Sequence, residues 1–201
     1  AHQVIGSAQQ GSTLLSETLA QYSALMVMEK MYGPDQIRNF LKLELDRYLR
    51  SRGMERLEEL PLQRVENQTY IHYQKGGLVM YLLRDQIGEE AVNRALRRLI
   101  ADYGFRSAPY PRSLDLVAAL RAEAPADKQA LITDLFEKIT LYDVKTTSAT
   151  VAERPDGRWN VTVVVEARKL YADGQGVETE APLNETFDIG LFTAEPGKPG
   201  F

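Results

Sequence analysis

For most of its length the chain repeats apolar residues at helical spacing, and towards its end the period switches to alternation. Residues 14–32, LLSETLAQYSALMVMEKMY, place Leu15, Leu19, Tyr22, Met26 and Val27 on one face, and Gly33-Pro34 supplies a stop. The spacing predicts a largely buried helix that carries one acid in its first turns, Glu17. A second helix is predicted over 35–50, with Ile37, Phe40, Leu41, Leu45, Tyr48 and Leu49 inward and Gly53 as a left-handed cap. The stretch 54–69, with Pro61, reads as irregular connection.

A third apolar helix is expected over 74–87, ended by Gly88, and a fourth follows with Glu89 and Glu90 in its first turn and Gly104 beyond its last. Two short helices are expected over 113–122 and 126–138. From Leu141 the pattern becomes VKTTSATVAER, a Pro155-Asp156-Gly157 turn, RWNVTVVVEARKLYA, a Gly-rich turn and ETFDIGLF. That is the pattern of antiparallel strands. The fold class is therefore α+β: a helical part over 1–140 and a small antiparallel β domain over 141–201. The last strand has no clear end before Phe201, as expected of a chain cut inside a longer protein.

Composition narrows the chemistry. The 24 Lys and Arg residues are interspersed with 28 Asp and Glu, for a net charge of −4, and no basic stripe offers itself to phosphates. Nucleic acid is not an expected partner. The absence of cysteine excludes disulfides, thiolate zinc sites and a thiol nucleophile. No apolar run reaches the length of a membrane span.

Several polar residues sit where chemistry is conceivable. Glu17 lies within an apolar helix, near the face of Ala20, Gln21 and Ala24, so its carboxylate is either solvated at the core's rim or buried with a partner. Tyr70, His72 and Tyr73 gather ahead of Lys75-Gly76-Gly77, where the glycines allow another backbone or a ligand to come close. His2 and His72 are the chain's two histidines, and with Glu17 they would make a two-histidine, one-carboxylate zinc set at a spacing that matches no motif. Arg97 and Arg98 read as solvated residues of an amphipathic helix.

Two blocks in order, HQVIGSAQQGSTLLSETLAQYSALMVMEKMYG and YIHYQKGGLVMYLLRDQIGEEAVNRALRRLI, resemble consecutive segments of the aminopeptidase-N-like zinc metallopeptidases, a gluzincin family with a thermolysin-like catalytic domain. In that family an H-E-x-x-H helix gives two histidine ligands and the general-base glutamate. A glutamate on the next helix is the third ligand, and the resemblance puts Glu17 of Ser16-Glu17-Thr18 at its place. The family's Y-E-K-G tyrosine, which donates to the oxyanion of the transition state, matches Tyr73 in Tyr73-Gln74-Lys75-Gly76; Tyr70 is left to packing or support.

The resemblance implies the C-terminal half of the catalytic domain to about residue 140, followed by a β-sandwich. It implies a zinc-dependent parent acting on the N-terminal bonds of peptides, with the H-E-x-x-H upstream of Ala1, so that this piece alone neither holds zinc tightly nor cleaves. The wording SETLAQYSALMVMEK is similar to bacterial members fused behind a membrane region of the ABC transporter permease type. A membrane-anchored parent and a soluble domain follow from that likeness. The alternative is a non-catalytic scaffold or docking module for such a transporter. An uncovered apolar face on a half-domain would also favour a homodimer.

Overall fold

A computed structural model describes residues 8–192 and residue 194. Among the described residues, six α-helices are followed by one antiparallel sheet: α1 Leu19–Tyr32, α2 Pro34–Met54, α3 Gly76–Ile87, α4 Glu89–Tyr103, α5 Ser113–Glu123, α6 Gln129–Ile132, β1 Ile139–Glu153, β2 Trp159–Ala172 and β3 Glu178–Ala181. The expected α+β class is what the chain adopts.

The core lies in the helical part, where Leu14, Leu15, Leu19, Tyr22, Ile71, Met80, Leu83, Val92, Leu116, Leu120, Ile132 and Phe136 form one buried cluster. The stripe read from residues 15–22 is in it. Farther along, α1 leaves the core, and Val27 is 55% exposed. Helix α2 is likewise less buried than its pattern suggests: Ile37 and Tyr48 are inside, whereas Leu45 and Leu49 are exposed. Gly53 does not cap it, because the helix runs to Met54 and ends at extended Glu55. Gly33 and Gly88, with φ of 86° and 89°, do end their helices, in a region that residues with a Cβ rarely enter.

Regular α-helix gives way to wider turns where two of the helices begin. A π turn over Leu14–Thr18 leads into α1, and another over Tyr70–Lys75 leads into α3. The third helix therefore begins before Tyr73, and the residues expected to precede it form its first turns. A third π turn, Thr133–Glu137, closes the helical part. Spacing alone does not report π turns, since an extra residue per turn leaves the apolar period on either side intact.

The sheet has the order β1-β2-β3. Strands β1 and β2 form a long ribbon around the predicted Pro155-Asp156-Gly157 turn, with an irregularity between Thr146 and Ser148. Strand β3 pairs only with Lys169 to Ala172. The sequence ETFDIGLF over 185–192 is not a strand, and the third strand lies earlier. Pro182 follows Ala181 directly and has no N–H to carry the ladder on. Among the described residues the chain thus forms one sheet, not the two facing sheets of a sandwich.

The sheet is fastened to the helices at its root. Ile139 is buried and Leu141 packs on the core. Lys169 donates to Asp134 at 2.9 Å and to Glu185 at 2.6 Å, and the Tyr171 hydroxyl donates to Asp134 at 2.7 Å. The far half of the ribbon carries an apolar row of Trp159, Val161, Val163 and Val165, with Val151 and Ala149 beside it. Trp159 there is 59% exposed.

Candidate functional site

The two residues singled out by the resemblance meet. Glu17 is carried by the first π turn and Tyr73 by the second, and the Tyr73 hydroxyl donates a short hydrogen bond to Glu17 Oε2. Both side chains are half-buried. That hydrogen bond to Glu17 is the main reason the Tyr73 phenol is held above its ordinary value, with burial and the Glu17 charge adding in the same direction. Glu17 falls between its two readings: it is half-buried at the rim of the core and has a hydrogen-bonding partner.

Close approach of two helices brings the pair together. A Cβ at Gly76 would fall 2.7 Å from Thr18 Cγ2 and closer still to Thr18 Oγ1, and one at Gly77 would fall 2.9 Å from Gln21 Cγ. The glycines after Lys75 are therefore there for helix packing. Thr18, fully buried, donates its hydroxyl to the His72 carbonyl at 2.5 Å.

His72 is buried beside Tyr73, its ring centroid 4.6 Å from the phenol's at an interplanar angle of 70°. Its Nδ1 lies 3.1 Å from the Glu66 carbonyl, which only a protonated nitrogen can satisfy, so Nδ1 carries the proton. Burial lowers its affinity for a second proton, opposed by the Glu66 hydrogen bond and by Glu17. The neutral ring serves as an edge-on wall for Tyr73. His2 lies outside the described residues, so the set His2, His72, Glu17 has no geometry to report.

Among the described residues no three His, Asp or Glu side chains are placed to hold a metal ion. A catalytic zinc takes three protein ligands and keeps one open position. Glu17 fits as one such ligand, a carboxylate at the rim of the core; this site supplies one of the three. Tyr70, by contrast, packs: it stacks on Tyr48 at 6.1 Å, its hydroxyl is buried, and burial pushes its phenol up to about 12.

Behind the pair is an ionic cluster that the sequence reading missed. Glu59 accepts from Tyr48 at 2.8 Å, from Arg52 at 2.7 Å and from Lys75 at 3.3 Å, and Arg52 reaches on to Glu178 at 2.9 Å. Lys75 and Glu59 side chains are 7% and 6% exposed. Burial draws the Lys75 ammonium below its ordinary value, against the pull of Glu59. Glu59 lies in a stretch without helical or strand period, and its only signal was a lysine beside the glycines, too slight to pair the two.

Two concave surfaces lie elsewhere among the described residues. A polar cleft of about 570 Å³ runs between the end of α2 and the β2–β3 turn, past Arg52, Glu55, Arg56, Tyr70 and Gly174. An apolar groove of about 490 Å³ is lined by Leu45, Leu49, Leu78, Leu82 and Tyr142. Neither includes Glu17 or Tyr73. No protein-family model matches the chain, and no curated protein and no solved structure matches it either.

Proposed function

We propose that this chain is part of a zinc-dependent aminopeptidase, in which Glu17 is a metal ligand and Tyr73 stabilises the oxyanion that develops at the scissile carbonyl. The observation that carries the reading is the direct Tyr73–Glu17 hydrogen bond, because two residues 56 apart in sequence, picked for linked roles, share one spot. On this reading two histidine ligands and the general base belong to sequence preceding Ala1 in a longer protein, which would be membrane-anchored.

Zinc held there would supply Lewis-acid activation of water. The groups of this chain have narrower parts. Glu17 brings negative charge to the site on a rigid helix start. Tyr73 carries one hydroxyl proton, given to Glu17 in this structure, and on this reading it turns to the substrate oxygen when Glu17 is on the metal. A donor fixed beside the metal-binding carboxylate is poised for charge that grows only in the transition state. His72 limits the directions the phenol can take.

The test is hydrolysis of Leu- and Ala-p-nitroanilide by the protein extended upstream of Ala1. Tyr73→Phe is expected to lower kcat by about 10²-fold or more, the usual size for one oxyanion donor, while bound zinc is unchanged. Full turnover in Tyr73→Phe would remove the assigned role.

A second reading is favoured by the ribbon, whose apolar row of Trp159, Val161 and Val151 is exposed. There the helices and sheet form a non-catalytic docking module for a transporter partner. It takes the first reading's place if the extended protein neither binds zinc nor cleaves.

A further inference from the structure

Residues 17 and 18 face residues 72 and 73 in two parallel rungs: Glu17 takes the Tyr73 hydroxyl, and Thr18 gives its own hydroxyl to the His72 carbonyl. All four lie in π turns. Such turns are rare, and one residue fewer per turn rotates every side chain on the element by about 100°. A π turn that presents a functional side chain therefore needs something outside itself to hold its phase.

Thr18 is placed to do this. Its side chain is fully buried, its hydroxyl is spent on the opposite π turn, and its body occupies the space left by the missing Cβ of Gly76. The rung cannot slide along the helices without driving Thr18 into the neighbouring backbone, and the pair next to it shares that fixed register. Serine would keep the donor; valine would keep the shape and lose the donor, leaving the His72 carbonyl without it.

We propose that Thr18, seated against Gly76, is the positioning residue that sets the Glu17–Tyr73 pair; for its catalytic consequence this rests on the reading of that pair given above. Thr18 touches no reacting atom. Its effect passes through the two neighbours.

The experiment is solution NMR on protein labelled at tyrosine 13Cζ, with the Tyr73 signal assigned by its loss in Tyr73→Phe and its unbonded position taken from Glu17→Ala. In Thr18→Val the signal is expected to move to the Glu17→Ala position, and in Thr18→Ser to stay where the wild type has it. A folded Thr18→Val protein with the wild-type signal overturns the proposal.

Should Thr18→Val fail to fold, Thr18→Ala removes the donor and adds no atom against Gly76. It is expected to fold and still lose the hydrogen-bonded shift, and retention of that shift overturns the proposal equally. The parallel measurement on the extended protein expects kcat about tenfold lower at unchanged KM in Thr18→Val, restored in Thr18→Ser. The NMR arm needs no metal, so a wild type without zinc or activity sinks the peptidase reading while the positioning of Tyr73 is decided separately.

Discussion

At the scale of single residues, the chain places several charges where they must be paired. Glu59 is the acceptor for two cations and a phenol in a nearly closed space. Glu59→Ala would leave Lys75 buried without its counter-charge, and the expected loss in chemical denaturation is about 3–5 kcal/mol. A loss under about 1 kcal/mol would mean that Lys75 reaches water. Glu29 offers a pH test. Arg84 hydrogen bonds hold its carboxyl below the ordinary value of 4.5, against burial. A depressed carboxyl contributes stability that is complete above its unfolded value and lost as pH falls through the folded one. The stability gap between wild type and Glu29→Gln should therefore be constant from about pH 7 to about pH 5 and close below about 4.5, as measured by urea midpoints. A gap that widens on acidification would contradict the assignment. Motif context singled out Glu17 and Tyr73, which meet in the structure, whereas Glu59 and Thr18 carried no such signal. Their roles depend on which side chain from a distant element arrives beside them, and no local spacing encodes that.

At the scale of elements, helix stops were the clearest signals because their cause is local. Gly33 and Gly88 sit at φ 86° and 89° with nothing within reach of an added Cβ, so conformation alone demands glycine. Gly88→Ala is expected to lose about 1–3 kcal/mol, read as a lower thermal midpoint, while Gly53→Ala inside α2 should be neutral or gain slightly. The opposite order would reverse the assignment of the cap. The strand pattern over 185–192 misled for a physical reason. Phe187, Ile189 and Leu191 alternate as a strand requires, yet Pro182 breaks the ladder before them, and alternation says nothing about whether a neighbouring edge is there to pair with. The π turns were invisible for a related reason: an insertion shifts which face a side chain joins without disturbing the apolar period on either side.

At the scale of the whole molecule, a helical core carries a ribbon secured by a few charged contacts at its base. Asp134, on the π turn before the sheet, takes both Lys169 and Tyr171, and Lys169 and Asp134 side chains are 6% and 5% exposed. Asp134→Ala should raise hydrogen exchange in β1 and β2 while α3 and α5 keep their protection, since the helical core does not depend on that contact. Uniform loss of protection would instead make sheet and helices one cooperative unit. Within the helical part, two π turns present Glu17 and Tyr73 to one another, the pair proposed to serve zinc chemistry. The most direct test of that role is zinc content and affinity of the protein extended upstream of Ala1, measured for wild type and Glu17→Ala. The account predicts one zinc per chain in the wild type and affinity lower by about 10²-fold or more, on the order of a lost ligand, in Glu17→Ala. Equal zinc affinity in the two proteins would contradict it.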